Sequence, residues 1–386
     1  MTVREKEVLD IIKKNPMISQ NEIAEQLNLT RSSVSVYITN LLKSGALKGR
    51  GYILEDEYYP VIIGTSALDI TSVFDATSVE NDPRLPQKYC DISFSYSGGA
   101  KNVAEYIARL DGRPQLISAL ARDQFGERIA SECNQHGIST EHSLFLDNAS
   151  TTMFLEVKSP ELEISGLASS PIDQNITPAF LETKYIHLKK ASLIAVEDRL
   201  PKETIDYLTS TFRTTPLFLL TSRRFSNVEN YREYLNRFTA MQFSFLVASH
   251  LVGMDNREFL GETVPDSLIE QIAIGLQTLT NPERHVIFPA PGSNICYLCN
   301  NHLYIITPPD AAKELDCFKT TRDAMIAGLM YSLSNHFSPE KTLFFVAACN
   351  DVAMGSSDTF NRAMCIKLVE ATIQKLQKSC HIRKLF

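Results

Sequence analysis

Three short stretches carry side chains able to act together on a hydroxyl-bearing ligand. The first is the segment 314–328, ELDCFKTTRDAMIAG, in which Asp323 leads into an apolar helical run of Ala324, Ile326, Ala327, Leu329 and Met330. A carboxylate at a helix start can accept a proton from a substrate hydroxyl, while the free N–H groups beside it bind a phosphate in transfer. Thr320, Thr321 and Arg322 occupy that anion-holding position. The second stretch is Ser97-Gly98-Gly99-Ala100-Lys101-Asn102. Its two glycines let the backbone approach a ligand, and Asn102 can bond a hydroxyl from the first turn of the helix that follows. The third is Asp69, just past the apolar run 59–64, where open α/β sheets bind ligands. An Asp in that place is also a common helix cap or turn residue.

The elements that must position these groups are legible from periodicity. Tyr59-Pro-Val-Ile-Ile-Gly64 is a continuous apolar run, the pattern of a buried parallel strand. Residues 90–97 alternate polar and apolar, as in a strand wetted on one face, and 151–157 and 163–167 give two more short strands. These are three short strands, near 90–97 and 151–167. Further strands are expected at 185–188, 216–220, 242–247 and 285–288, with helical stretches between them. That alternation predicts an α/β fold, a mostly parallel sheet sandwiched by helices. His187 and His285 fall within these strand patterns and read as core histidines.

The N-terminus has a different character. Val3, Val8, Leu9, Ile11 and Ile12 recur at helical spacing up to Asn15-Pro16. Ser19 and Glu22 form a capping box ahead of Ile23, Ala24 and Leu27, and Thr30 can cap a third helix whose buried face is Val34, Ile38, Leu41 and Leu42. Its outward residues Arg31, Ser32, Ser33, Ser35 and Tyr37 are of the kinds that reach base edges and phosphates. A glycine-bearing hairpin follows, in which Lys48 and Arg50 would lie along a phosphate backbone. The expectation is an all-α, winged helix-turn-helix DNA-binding domain over 1–55, with 56–386 forming the α/β body. A three-helix protein-interaction module is the alternative. One head binds DNA weakly, so a homodimer reading two half-sites is expected.

Charge supports that division. The chain carries a net charge of −7, whereas residues 1–54 hold eight Lys and Arg against five Asp and Glu, so a basic head sits on an acidic body. No segment has the roughly 18 apolar residues of a membrane span, and the N-terminus is amphipathic, so a cytoplasmic protein with no membrane partner is expected. Cys296 and Cys299 lack a second pair or nearby histidines to complete a zinc site. No metal site is expected there, and the cysteines read as reduced thiols.

The three stretches resemble the signatures of the PfkB/ribokinase family of sugar and nucleoside kinases. Ser97–Leu110 resembles the first PfkB signature, and its Asn-Val-Ala-Glu-x-x-Ala-Arg-Leu wording is similar to that of pseudouridine kinases, which often carry an N-terminal helix-turn-helix. The resemblance implies that the strands near 90–97 and 151–167 form a small β-lid, that Asp69, Gly98, Gly99 and Asn102 bind the substrate and that Asp323 is the catalytic base. It also exposes departures. Thr320, Thr321 and Arg322 stand where the family has Gly-Ala-Gly, Ala67 stands for an Asn, and Ser249–Val252 is the apparent match to an Asn-x-x-Glu motif that helps hold magnesium. The segment 288–294, Phe-Pro-Ala-Pro-Gly-Ser-Asn, replaces a Gly-rich nucleotide motif, and proline brings no N–H.

Two main readings follow. In the first, a transcriptional regulator binds a sugar or nucleoside in a catalytically impaired kinase domain. In the second, the body is an active kinase for a pseudouridine-like nucleoside or sugar, using ATP and Mg. A body that only dimerises the head is a third.

Overall fold

Three helices build the N-terminal unit: α1 (Val3–Lys14), α2 (Gln20–Leu27) and α3 (Arg31–Lys43). The computed structural model describes residues 1–16, 18–44, 46–47, 59–73, 91–158, 166–169, 171–222, 227–254, 264–309, 318–355 and 361–386. Each head helix starts on a side-chain cap. The Ser19–Glu22 box is present, and a second box joins Thr2 and Glu5. Thr30 Oγ1 accepts the Ser33 N–H. The Glu5 carboxylate also accepts Asn40 Nδ2 at 2.9 Å, tying α1 to α3. Val8, Ile12, Ile23, Val34, Ile38, Leu41 and Leu47 fill the core between the helices. Two expected core residues lie outside it: Val3 is 74% exposed and Leu42 39%. At 100° per residue Val3 points away from the Val8–Ile12 stripe, and Leu42 falls at the edge of the stripe on its own helix. The proposed wing residues Lys48 and Arg50 lie outside the described residues.

The second unit begins at Tyr59. Its early strands are β1 (Tyr59–Ile63), β2 (Ala67–Val73), β3 (Asp91–Ser97), β4 (Gln115–Ile117), β5 (Ala119–Ala121), β6 (Leu144–Leu146), β7 (Met153–Lys158) and β8 (Gly166–Ala168). The later ones are β9 (Ala191–Glu197), β10 (Leu217–Leu220), β11 (Ala240–Gln242), β12 (His285–Ala290), β13 (Asn294–Cys299), β14 (His302–Ile306) and β15 (Arg383–Lys384). Helices α4 (Gly99–Arg109), α5 (Gln124–Gln135), α6 (Pro178–Glu182), α7 (Tyr185–Lys189) and α8 (Lys202–Thr211) come first. They are followed by α9 (Val228–Tyr231), α10 (Phe245–Leu251), α11 (Asp266–Thr280), α12 (Phe318–Ser334), α13 (Pro339–Met354) and α14 (Ile366–Ser379).

Nine strands form the main sheet in the order β15-β14-β13-β12-β11-β10-β9-β1-β4. From β4 across to β12 every pairing is parallel, and β13, β14 and β15 extend that edge antiparallel. Alternate residues feed two cores. Val61, Ile63, Ile194 and Val196 pack on one face, Ile62, Leu193 and Ala195 on the other. Covering both faces with helices is what lets these strands be apolar throughout. A separate sheet, β3-β2-β7-β8, forms the lid.

Two expected strands are placed differently. Residues 185–188 are helical, as α7, and the strand is the next apolar run, Ala191–Glu197. Four apolar residues do not fix a period, and Ala191–Val196 offers a longer run to the sheet. Likewise β11 stops at Gln242, because Ser244 caps α10 by accepting the Val247 N–H. His187 accordingly sits on a helix, stacked on Tyr59, while His285 lies on β12 bonded to the Tyr297 hydroxyl. Cys296 and Cys299 sit three apart on β13 and belong to opposite cores, so they cannot share an ion.

Candidate functional site

The carboxyl ends of β1, β9 and β10 open onto a cavity of about 360 Å³ roofed by the lid. Asp69, Gly98, Gly99, Asn102, Arg322 and Asp323, picked out from three distant stretches, all line it. Each reaches it on a different element. Asp69 is the third residue of β2, inside a lid strand rather than in a turn. Gly98 joins β3 to α4 at φ 119°, and a Cβ there would meet Thr65 O at 2.4 Å. Asn102 lies in the first turn of α4, and its Nδ2 donates to Ser97 Oγ and to Asp323 Oδ2, both at 3.1 Å. Its Oδ1 is buried without a hydrogen-bond partner among the described residues. The root of the lid is fixed by buried Lys101, which donates to Tyr96 O at 2.8 Å and pairs with Glu105 at 2.6 Å.

Asp323 is 2% exposed, and its Oδ1 is held by Arg322 through Nε at 2.7 Å and Nη2 at 2.6 Å. The expected helix start lies elsewhere. Because α12 begins at Phe318, the N–H groups of Arg322 and Asp323 are one turn inside it and bond carbonyls four residues back. They are not free to cradle an anion. Thr321 is buried, and the side chain of Thr320 lies outside the described residues.

Glu197, Arg199, Ser222, Thr65 and the lid residue Phe154 also line the cavity and were not singled out from sequence. Glu197 ends β9, is 5% exposed and accepts the Thr65 N–H at 2.6 Å. Burial pushes its carboxyl up to about 7, with Arg199 opposing. Burial also lifts its neighbour Asp198 to about 6, against hydrogen bonds from Ser222. A Cβ at Gly99 would lie 2.6 Å from Glu197 Oε1 and 3.0 Å from Arg322 Nη2. The room made by that glycine is therefore taken by the protein's own carboxylate and guanidinium. The signal for Glu197 was present in sequence, as the first of two acids, Glu197 and Asp198, ending the largely apolar run Ala191–Val196.

A parallel sheet with its cavity at the carboxyl ends and a four-stranded lid defines a ribokinase-like α/β protein. The same fold is seen in a carbohydrate kinase from Agrobacterium tumefaciens (TM-score 0.68, 17% identity, 85% of this chain and 100% of that one). Arabidopsis thaliana ribokinase, solved with ribose and ATP, gives a TM-score of 0.65 at 14% identity over 83% of this chain and 99% of that one. The chain belongs to the pfkB family of carbohydrate kinases, whose profile matches residues 66–362. A winged helix-turn-helix DNA-binding profile matches residues 1–48. The Escherichia coli K12 protein named uncharacterized sugar kinase YeiI is 25% identical over 94% of this chain and 96% of its own length. The pseudouridine kinase of the same strain is 22% identical over 52% of this chain and 63% of its own length.

The stretches that replace the family's nucleotide and magnesium motifs form a hairpin and a helix end. The segment 288–294 is a tight hairpin, β12 running through Ala290 and β13 starting at Asn294, with Gly292 and Ser293 at positive φ in the turn. Pro289 and Pro291 bring no N–H to it. Ser249–Val252 lies at the end of α10, where Ser249 Oγ donates to Phe245 O. Among the described residues no three His, Cys, Asp or Glu side chains are grouped to hold a metal ion.

Proposed function

We propose that this chain is a cytoplasmic transcriptional regulator: the head binds DNA as part of a homodimer, and the body senses a sugar or nucleoside with phosphoryl transfer impaired. The observation that carries this reading is the Arg322–Asp323 pair, in which the group needed as a base is neutralised by its chain neighbour through two nitrogens. A base must accept the substrate proton, and a carboxylate in a buried bidentate-donor contact is a weak acceptor. The ligand side stays equipped, since Asp69, Gly98, Gly99 and Asn102 line one cavity. On the head, Arg31, Ser32 and Ser35 are exposed along α3, with Ser33 and Tyr37 half-buried. No helix among the described residues is long and apolar enough to cross a membrane.

The test is ATP consumption with Mg and a panel of nucleosides and pentoses. The expected outcome is no turnover above background for the wild-type chain and none for Asp323→Asn. Robust wild-type turnover lost in Asp323→Asn would overturn the sensor reading and establish the active kinase, which the convergence of Asp69, Asn102 and Asp323 on one cavity favours.

A further inference from the structure

The third helix of the head carries a side chain that its fold does not require. Val36 on α3 is 57% exposed. A β-branched residue lowers helix propensity slightly, and at so wet a position little packing offsets that loss. The buried Val34, Ile38 and Leu41 define one side of α3, and at 100° per residue the side opposite carries Ser32, Val36, Thr39 and Lys43. All four are exposed. Arg31 and Ser35 fall on the flank between the two sides, about 50° and 90° from the core direction.

Hydrogen bonds inside the head already occupy polar groups along that outer crest. Ser32 Oγ lies 2.9 Å from Thr30 Oγ1, within the cap of the helix. Thr39 Oγ1 donates to Ser35 O at 2.8 Å, so its proton is spent inside the helix and its methyl is the group left to offer. Asn40, beside the crest, donates its amide to Glu5 Oε1 on α1 at 2.9 Å. The middle of the crest is thus a pair of methyl-bearing side chains on successive turns, Val36 and Thr39. A helix entering the major groove turns its crest to base edges and leaves its flanks to phosphates. Of the four bases only thymine shows a methyl there, and it is met by apolar contact. The basic excess of residues 1–54 suits the phosphates on either side.

We propose that the head reads thymine methyl groups in the major groove through Val36 and Thr39. This rests on the DNA-binding reading above and specifies what is read. The experiment selects a binding site for the full chain from random duplexes, then replaces each thymine of that site in turn by deoxyuridine, which removes only the C5 methyl. The wild type is expected to lose about fourfold in affinity at one position or more, the worth of one buried methyl. The double variant Val36→Ala, Thr39→Ser should bind the site without that penalty. It should fold normally, because Ala favours the helix and Ser keeps a hydroxyl for Ser35 O. Uracil costing the wild type nothing, or costing the double variant as much as the wild type, overturns the assignment while DNA binding stands. So does a chain that binds duplexes without enriching any sequence. A chain that binds no duplex loses both readings.

Discussion

Glu197 is a cavity residue whose charge state changes near neutral pH. It is buried at the end of β9, its carboxyl lifted from 4.5 to about 7 by burial. Between those values the folded chain holds a proton that the unfolded chain has released, so stability falls as pH rises through this window and levels off above it. Asp198, raised from 3.8 to about 6, acts in the same direction over a lower range. Glu197→Gln keeps an acceptor for the Thr65 N–H and removes the titration. Denaturant unfolding of the wild type should lose stability from pH 5 to pH 8, on the order of 2 kcal/mol from this group. The Gln variant should lose correspondingly less. An unchanged pH slope would mean that Glu197 is already ionised at pH 5. At this scale, sequence offered Asp69, Gly98, Gly99, Asn102 and Asp323 as separate hints. Arg199 and Phe154 escaped because their roles come from strand ends and cross-strand neighbours that only the assembled sheets define, whereas Glu197 was marked only by ending an apolar run.

Elements explain why the site has its shape. The β3–α4 junction turns through Gly98 at φ 119°, and the next residue, Gly99, leaves space filled by Glu197 and Arg322. Gly99→Ala should force both side chains to move, costing about 1–3 kcal/mol of stability by thermal or denaturant unfolding. A neutral result there would show that the carboxylate and guanidinium relax freely. Element types were readable where a pattern was long. The three head helices, β1, β3, β10 and β12 follow from caps and apolar runs. The failures are short or end-dependent. Tyr185–Leu188 is helical because four apolar residues carry no period, and α12 starts at Phe318, ahead of the cap-type residues Thr320 and Thr321, so residue type alone does not fix its start. β2 escaped notice since its residues Ala67–Val73 mix polar and apolar without strict alternation.

Across the whole molecule the division of labour is between a head of about fifty residues and a body six times larger, Met1–Tyr58 and Tyr59–Phe386. The head has its own core, with Ile38 buried between its helices. Ile38→Ala should destabilise it by about 2–4 kcal/mol and abolish DNA retention in a mobility-shift assay. Ligand-induced melting shifts of the body should persist in that variant. Arg31→Ala should leave both units folded while flattening the dependence of DNA affinity on salt, by about one unit of logarithmic slope if Arg31 meets a phosphate. An identical slope would remove Arg31 from the interface.

Arg322 and Asp323 are consecutive residues of one helix, and this restricts how their ion pair can ever be parted. Any rigid displacement of α12 carries both side chains together and leaves the contact as it was. A change of side-chain rotamer, or an outside anion competing for the guanidinium, can uncouple them.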